Sequence, residues 1–202
     1  MTLPGKMVLA SGNPGKLREL ARLLDDLGVE IVAQSALGVE DADETGETFA
    51  ENALIKARHA AAATGLPAIA DDSGLAVDAL DGRPGVRSAR YSGPDADAAR
   101  NIDKLLAELA GVPPAARTAA FVCVACFVTP DGAEPVYGEG RWPGQILEER
   151  RGDGGFGYDP VFLDPDSGKS AAELTPGEKD RVSHRGKALR ALKQALAARF
   201  VR

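Results

Sequence analysis

The chain has 202 residues and a mass of 21.0 kDa, the size of one globular domain or of two small lobes that share a core. Hydrophobic residues make up 44% and charged residues 27%, which excludes wholesale disorder, collagen-like repetition and a disulfide scaffold. The net charge of -6 argues against a general electrostatic grip on nucleic acid, so any phosphate site must be local.

Strands and helices alternate at the start of the chain. We predict a strand at Lys6–Ala10, the loop Ser11–Gly15, a helix that ends at Gly28, and a second strand at Val29–Ala33. The apolar stripe of this helix consists of Leu17, Leu20, Ala21, Leu24 and Leu27.

An acidic stretch, Glu40–Glu47, leads into the second predicted helix. Thr48 and Glu51 have the spacing of a capping box at its start, and Gly65 marks its end. A third strand is predicted at Pro67–Ala70 and runs directly into two aspartates.

The second half of the chain predicts fewer helices. A loop rich in Gly, Arg and Pro (Asp81–Gly93) precedes a helix at about Asp95–Leu109, and the run Thr118–Thr129 reads as a buried strand. A turn then leads into Glu134–Tyr137, which predicts an antiparallel hairpin. The chain closes with a helix from Ser183, whose stripe consists of Leu189, Leu192, Leu196 and Phe200. Together these elements predict an α/β protein with a mixed sheet.

Cys123 and Cys126 have a C-x-x-C spacing, which is also found in redox and metal sites. Here the pair lies in an apolar, β-branched run, where side chains three positions apart point to opposite faces of a strand. We therefore predict two buried structural thiols. A redox protein is kept as a minor alternative.

The first loop is a candidate phosphate site, because a loop between a strand and a helix offers free backbone N–H groups and the positive end of the helix dipole. It consists of Ser11, Gly12, Asn13, Pro14, Gly15 and Lys16. The spacing fits neither a Walker A loop nor a G-x-G-x-x-G dinucleotide motif. An ordinary Gly-Pro turn is the alternative.

Asp71 and Asp72 are placed by the prediction at the carboxyl end of the third strand, where open α/β sheets bind ligands. Adjacent carboxylates repel unless a cation neutralises them, and oxygen ligands together with substrate phosphates suit Mg²⁺. The pair therefore predicts a metal site, with a solvated turn as the alternative. Asp43, Glu44 and Glu47 are a second, weaker source of carboxylates.

Two later segments suit a planar, anionic ligand. Residues 154–160 place Phe156 and Tyr158 among three glycines, and aromatic faces stack on nucleobases. Basic residues gather near the start of the last helix, where their charge opposes the helix dipole unless an anion lies nearby. They are Lys179, Arg181, His184, Arg185 and Lys187.

Seven segments in order resemble the Ham1-like family, the inosine triphosphate pyrophosphatases. They are Ser11–Lys16 (SGNPGK), Glu44–Ala57 (ETGETFAENALIKA), Ala70–Val77 (ADDSGLAV), Gly82–Gly93 (GRPGVRSARYSG), Trp142–Gly144 (WPG), Gly154–Asp159 (GGFGYD) and Ser183–Gly186 (SHRG). The resemblance covers nearly the whole chain, here treated as a single domain of residues 1–202. It implies a homodimer of elongated, two-lobed subunits with the active site in a cleft between the lobes.

The resemblance also implies an activity and its residues. The activity is Mg²⁺-dependent cleavage of ITP, dITP or XTP into the monophosphate and pyrophosphate. Asp72 is the implied general base and a metal ligand. Asp43 and Glu44 are further candidates for metal ligands, and the choice between them is open because Asp43 stands where the family commonly has the longer Glu. The implied substrate-binding residues are Ser11, Gly12, Asn13, Pro14, Gly15, Lys16, Ser73, Phe156, Gly157, Tyr158, Asp159, Lys179, His184 and Arg185.

Lys16, Lys56 and Lys179 supply local positive charge for a triphosphate. Arg185 at the O6 edge of the base would donate to the O6 acceptor of hypoxanthine and xanthine, whereas adenine would oppose it with an amino donor. This contact does not explain rejection of GTP, which has the same O6. The alternatives are a pyrophosphatase of broader base specificity and a nucleotide-binding protein without turnover.

Location and partners follow from absences in the sequence. No apolar run reaches the ~18 residues of a membrane span, and the N-terminal segment lacks the apolar part of a signal peptide. We therefore expect a cytoplasmic protein that has neither a membrane nor a nucleic acid as partner.

Overall fold

The computed structural model describes residues 4–200. The strands of this part are β1 (Lys6–Ala10), β2 (Glu30–Ala33), β3 (Ala68–Val77), β4 (Thr118–Val128), β5 (Val136–Ile146), β6 (Phe162–Asp164) and β7 (Lys169–Ser170). Its α-helices are α1 (Pro14–Leu24), α2 (Phe49–Thr64), α3 (Ala98–Glu108), α4 (Pro176–Val182) and α5 (His184–Phe200).

One seven-stranded sheet has the order β2-β1-β3-β4-β5-β6-β7. β1 pairs in parallel with β2, with Val8 opposite Val32, and with β3, with Leu9 opposite Ile69. β6 pairs antiparallel with both β5 and β7. The connection from β4 to the neighbouring β5 is too short for a parallel crossover. The predicted α/β class with a mixed sheet is confirmed.

The described chain divides into two compact units. The first unit contains the chain up to Asp72, the segment Cys123–Gly140, and the chain from His184 onward. The second contains Ser73–Val122 and Arg141–Ser183.

The core of the first unit lies on both faces of its strands, because successive side chains of a strand point to opposite sides. On one face Ile69 and Cys123 pack with the apolar residues of α1 and α5. On the other face Ala68 and Ala70 pack against the alanines of α2. By the same alternation, Asp71 and Asp72, the next two residues of β3, are directed to opposite faces, one toward each of these helix layers.

The second unit has its own core around one helix. Ile102 and Leu105 of α3 pack with an aromatic group. Phe121 lies 4.5 Å from Phe162 by ring centroids, and Trp142 lies 4.9 Å from Phe162. The indole N–H of Trp142 donates to the buried carboxylate of Asp164 at 3.0 Å, so burial of this ring leaves no polar atom unsatisfied.

Helix boundaries that depend on caps agree with the sequence. Thr48 and Glu51 form the predicted capping box of α2, and Gly65 ends that helix in the left-handed conformation. Thr175 and Glu178 form a second capping box at the start of α4, a helix that our reading did not predict although it has the same spacing.

Three predictions about elements are wrong. β3 does not end at Ala70 but continues to Val77, because Leu75 and Val77 are buried in the core of the second unit. β5 extends past Tyr137 to Ile146. Ala21, placed on the apolar stripe of α1, is exposed, whereas the charged Glu19 is buried.

Cys123 and Cys126 are free, buried thiols in the cores on opposite faces of the sheet, as predicted. Burial raises the pKa of both, to about 12 for Cys126, so neither thiol is activated as a nucleophile. No helix within residues 4–200 has the length and apolar character required to cross a membrane.

We expect Gly138→Ala to destabilise the first unit. A Cβ at Gly138 would meet backbone atoms of Ala188 and Leu192, so α5 must move away from β5. Such overpacking costs about 1–3 kcal/mol in free energy of unfolding, measurable by urea denaturation. The matched control is Gly177→Ala, because nothing lies within 4 Å of a Cβ at that helical position. Equal stability of the two variants would contradict this account of the helix contact.

Candidate active site

The first loop joins β1 to α1 where the sequence places it, and its geometry is fixed by Asn13. The side-chain oxygen of Asn13 accepts from the N–H groups of Gly15 at 2.9 Å and Lys16 at 3.1 Å. Ser11 is buried, and its hydroxyl accepts from the N–H of Asn13 at 3.2 Å. Two N–H groups of the first helical turn are thus already capped, while Gly12 and Pro14 are exposed.

The acidic stretch packs against this loop. A Cβ at Gly12 would collide with the carboxylate of Asp41, which accepts from the side-chain amide of Gln34 at 2.5 Å. A larger residue at position 12 would therefore have to displace the side chain of Asp41.

Asp71 points to the face covered by α1 and α5, and it is 1% exposed. Its Oδ2 accepts from Nε and Nη2 of Arg185, both at 3.2 Å, and lies 3.4 Å from Nζ of Lys16. Burial alone would raise the pKa of Asp71, but the charges of Lys16 and Arg185 hold it well below its usual range. Its Oδ1 is buried with no hydrogen-bond partner among residues 4–200.

Arg185 belongs to a buried ion-pair network. It is 1% exposed, and besides Asp71 it binds the carboxylate of Glu19 through Nη1 at 2.5 Å. The flanking carboxylates outweigh burial and hold the pKa of Arg185 above its usual range. The predicted role of Arg185 at a base edge stays a prediction, and in this structure its guanidinium faces Asp71 and Glu19. His184, its neighbour in α5, is also buried.

Asp72 points to the opposite face, toward α2. Its Oδ1 lies 3.0 Å from Nζ of Lys56, and its Oδ2 accepts from Nδ2 of Asn52 at 3.3 Å. Burial raises the pKa of Asp72, and the charges of Lys56 and Lys16 oppose this shift only in part. The pKa of Lys56 is raised, since the charges of Asp72, Asp71 and Glu44 outweigh the effect of burial.

The two aspartates therefore do not form one shared pair beyond the end of a strand, as the sequence suggested. Both lie inside β3, and the alternation of the strand directs them to different faces, each with its own cations. The repulsion on which our metal prediction was based is relieved by these lysines and by Arg185.

Glu44 is brought to Asp72, and Asp43 is an exposed residue of the same segment. Nζ of Lys56 lies 2.8 Å from Oε1 of Glu44, so one ammonium group contacts both carboxylates. Within residues 4–200 no group of three or more His, Cys, Asp or Glu side chains is arranged to hold a metal ion. The predicted set Asp43, Glu44 and Asp72 is thus not a preformed three-ligand centre.

In the second unit, the loop that contains Phe156 and Tyr158 lies around a buried ion pair. Oδ2 of Asp159 accepts from Nζ of Lys179 at 2.6 Å and from the N–H of Phe156 at 2.7 Å. The same ammonium lies 4.8 Å from the centre of the Phe156 ring. Asp159 and Lys179 thereby hold the half-buried ring of Phe156 in one place.

Tyr158 is buried, and its hydroxyl donates to the carbonyl of Ser88 at 2.8 Å. Gly157 adopts a positive φ of 61°, a conformation that other residues rarely adopt. Ser73, half-buried in β3, also belongs to this unit.

Sequence reasoning missed two residues of these networks: Glu19, which pairs with Arg185, and Asn52, which contacts Asp72. Glu19 gave no signal, since a charged residue on a helix is normally solvated. Asn52, four residues after the helix cap Thr48, is 0% exposed. The available signal was the position of Asn52, an amide near the start of a helix whose other buried residues are alanines.

Fold and site define a class: a mixed-sheet α/β protein with a capped loop at a helix N-terminus and lysines beside buried carboxylates. The Ham1 family model matches residues 7–195, and the chain belongs to the Ham1 family. It is 59% identical over 192 residues to the dITP/XTP pyrophosphatase of Shigella flexneri and 58% identical to that of Escherichia coli O157:H7. Both alignments cover 95% of this chain and 98% of the relative.

Solved structures of the same family share the fold. A HAM1 protein from Coxiella burnetii superposes with a TM-score of 0.86 at 47% identity, covering 96% of this chain and 98% of that one. The Ham1 protein of Staphylococcus aureus gives 0.84 at 39% identity, covering 96% and 99%. The resemblance in the sequence motifs is thereby confirmed.

Removal of the Arg185 guanidinium should destabilise the protein strongly. Arg185→Met removes the cation that Asp71 and Glu19 share in the interior, and loss of one partner of a buried pair costs about 3–5 kcal/mol. Urea denaturation measures the change. Arg83→Met is the matched control, because the Arg83 side chain is 56% exposed in its pair with Glu108 and such pairs contribute about 0–1 kcal/mol. A similar small loss for both variants would refute a structural role for Arg185.

Proposed function

We propose that the chain hydrolyses ITP, dITP and XTP to the nucleoside monophosphate and pyrophosphate, and so removes deaminated purine nucleotides from the nucleotide pool. The observation that carries the proposal is Asp72, a buried carboxylate with Lys56 on one oxygen and Asn52 on the other. Family membership and the names of relatives at nearly 60% identity, dITP/XTP pyrophosphatase, support the same reaction.

Charge favours a triphosphate near Asp71 and Asp72 of β3. The chain as a whole carries -6, yet Lys16 and Lys56 place two ammonium groups close to Asp71 and Asp72. Positive charge fixed before the substrate arrives stabilises the charge that develops on the phosphates during hydrolysis. In this proposal the loop Ser11–Lys16 binds the triphosphate, with Ser73 and Lys179 assisting.

Asp72 is proposed to orient the attacking water and accept its proton. The water oxygen forms the new bond to the α-phosphorus, the bond to the bridging oxygen breaks, and pyrophosphate leaves. A general base must be held within hydrogen-bond reach of its water, and the contacts of Asp72 with Lys56 and Asn52 fix its carboxylate.

The residues present fit a divalent metal ion, proposed to be Mg²⁺. Mg²⁺ is usually held by one or two carboxylates, with waters and substrate phosphates as the remaining ligands. Glu44 and Asp72 are two such donors, and both already contact one cationic group, the ammonium of Lys56. When bound, the ion would neutralise phosphate charge, and Asp43 is a candidate for contact through water.

The base is proposed to stack on Phe156, in the loop that includes Gly157, Tyr158 and Asp159. Lys179 and Asp159 fix this ring, so its face is oriented before a ligand arrives. His184 and Arg185 complete the predicted base-binding set.

A homodimer and a cytoplasmic location complete the proposal. The homodimer is implied by the resemblance of the sequence to the family, and the cytoplasmic location is the expectation from the sequence alone. Sedimentation of the full-length chain measures the first directly.

Asp72→Asn should abolish turnover with little effect on folding. Pyrophosphate release from ITP, XTP, GTP and ATP is measured with and without Mg²⁺, and preferential Mg²⁺-dependent cleavage of ITP and XTP is expected for the wild type. The variant should lose about 100-fold or more in kcat, since a positioned base contributes about 10²–10⁴-fold. Asp131→Asn, an exposed change in the turn after β4, is the control. Tight ITP binding without selective turnover in the wild type would instead favour a nucleotide-binding protein.

Phe156→Ala should weaken nucleotide binding, because base stacking on an aromatic ring contributes about 1–3 kcal/mol. The KM for ITP should rise at least about fivefold, with kcat changing less. Tyr137→Ala removes an aromatic ring that is 38% exposed on β5 and serves as the control. An unchanged KM in Phe156→Ala would exclude this ring from the base site.

A further inference from the structure

Two buried asparagines occupy equivalent positions in two helices of the protein. Asn52 lies four residues after Thr48, the N-cap of α2, and Asn101 lies four residues after Asp97, the N-cap of α3. Both are nearly inaccessible, at 0% and 5% exposure. Each amide oxygen accepts the backbone N–H of a loop that precedes the helix, from Gly46 at 2.8 Å for Asn52 and from Ser92 at 2.7 Å for Asn101.

The amide nitrogens of this pair differ in what they contact. Nδ2 of Asn101 donates to the backbone carbonyls of Ser88 at 3.3 Å and Ala89 at 3.0 Å, so this residue joins backbone to backbone. Nδ2 of Asn52 donates to the carboxylate of Asp72 at 3.3 Å. A fully buried amide that binds a loop on one side and a functional carboxylate on the other does more than anchor a loop.

Asn52 restrains Asp72 at the oxygen that Lys56 leaves uncovered. Lys56 contacts Oδ1 of Asp72 and Asn52 contacts Oδ2, so rotation of the carboxylate about its terminal bond would break both contacts. Because the oxygen of Asn52 is held by the N–H of Gly46, the amide has one orientation, with its N–H group toward Asp72.

The amide oxygen of Asn52 holds the segment that carries Glu44, because it accepts from the N–H of Gly46. Gly46 lies two residues after Glu44, and a Cβ at Gly46 would come within 2.7 Å of Oδ1 of Asn52, so the backbone approaches the amide as closely as glycine permits. One side chain thus contacts Asp72 directly and the Glu44 segment through its backbone.

We propose that Asn52 is a positioning residue, which holds Asp72 and the Glu44 segment in the fixed relation that divalent metal binding and hydrolysis require. This inference rests on the proposed function for its reaction, although its metal-binding part is independent of turnover. Groups that orient metal ligands from the next layer typically contribute about 10- to 100-fold in metal affinity or activity.

Three variants of the full-length chain test the inference. Asn52→Ala removes both contacts. Asn52→Asp keeps an oxygen for the N–H of Gly46 and replaces the donor to Asp72 with a second carboxylate oxygen. Asn101→Ala is the matched control, since it removes the equivalent buried amide of α3, which contacts backbone only. The measurements are kcat and KM for ITP, the Mg²⁺ concentration for half-maximal rate, Mn²⁺ affinity without nucleotide by electron paramagnetic resonance, and the melting temperature.

We expect kcat to fall about 10- to 100-fold in Asn52→Ala, with KM for ITP changed less than about threefold. The Mg²⁺ requirement and the Mn²⁺ dissociation constant should both rise about tenfold. Asn52→Asp should lose at least tenfold in kcat despite retaining the loop contact, and wild-type kcat in this variant would contradict the inference even if Asn52→Ala does not fold. Asn101→Ala should lower the melting temperature and leave kcat and Mn²⁺ affinity within about twofold of the wild type.

A different pattern would overturn the inference. If Asn52→Asp matches the wild type in kcat, or if Asn52→Ala changes only the melting temperature as Asn101→Ala does, then Asn52 is purely structural. Failure of the proposed function is distinguishable, because it means that the wild type itself releases no pyrophosphate from ITP. In that case Mn²⁺ affinity of Asn52→Ala against the wild type still tests the positioning role.

Discussion

The structure depends on how a negative charge is accommodated in the middle of β3. Asp71 is buried in the first unit, and burial of an ionised carboxylate is tolerated only when it is paired and hydrogen-bonded. Arg185 supplies that pairing, Glu19 balances the second side of the guanidinium, and Lys16 adds a further charge. α1, α5 and β3 are consequently joined by charge as well as by apolar packing.

The neighbouring Asp72 can differ in character because the pleat sends it to the other side of the sheet. There it meets α2, from which Asn52 and Lys56, one helical turn apart, reach the two carboxylate oxygens separately. One strand therefore presents a firmly neutralised carboxylate to one helix layer and a second, less neutralised carboxylate to the other. Neither arrangement requires an irregular backbone.

Local signals predicted most elements, because capping boxes, glycine helix ends and apolar periodicity act over a few residues. Leu75 and Val77 were a signal that the third strand continues through Asp71 and Asp72. With that longer strand, the alternation of side chains along a strand would have predicted that the two aspartates point to opposite faces. The ion pair of Arg185 with Glu19 had no such signal, since the partners are 166 positions apart and either charge alone suggests a solvated surface. Motif resemblance named the candidate residues of the site, but which side chain holds which carboxylate required coordinates.

The position of Arg185 near the end of the chain bears on synthesis. The first unit is assembled from three separated stretches of sequence, and the last of them, α5, delivers the arginine that neutralises Asp71. During translation the strand carrying Asp71 leaves the ribosome more than a hundred residues before its counter-ion. A nascent chain of this protein has Lys16 beside Asp71 but cannot form the buried pair of Asp71 with Arg185 until α5 has emerged, so the first unit completes its ion-pair network late.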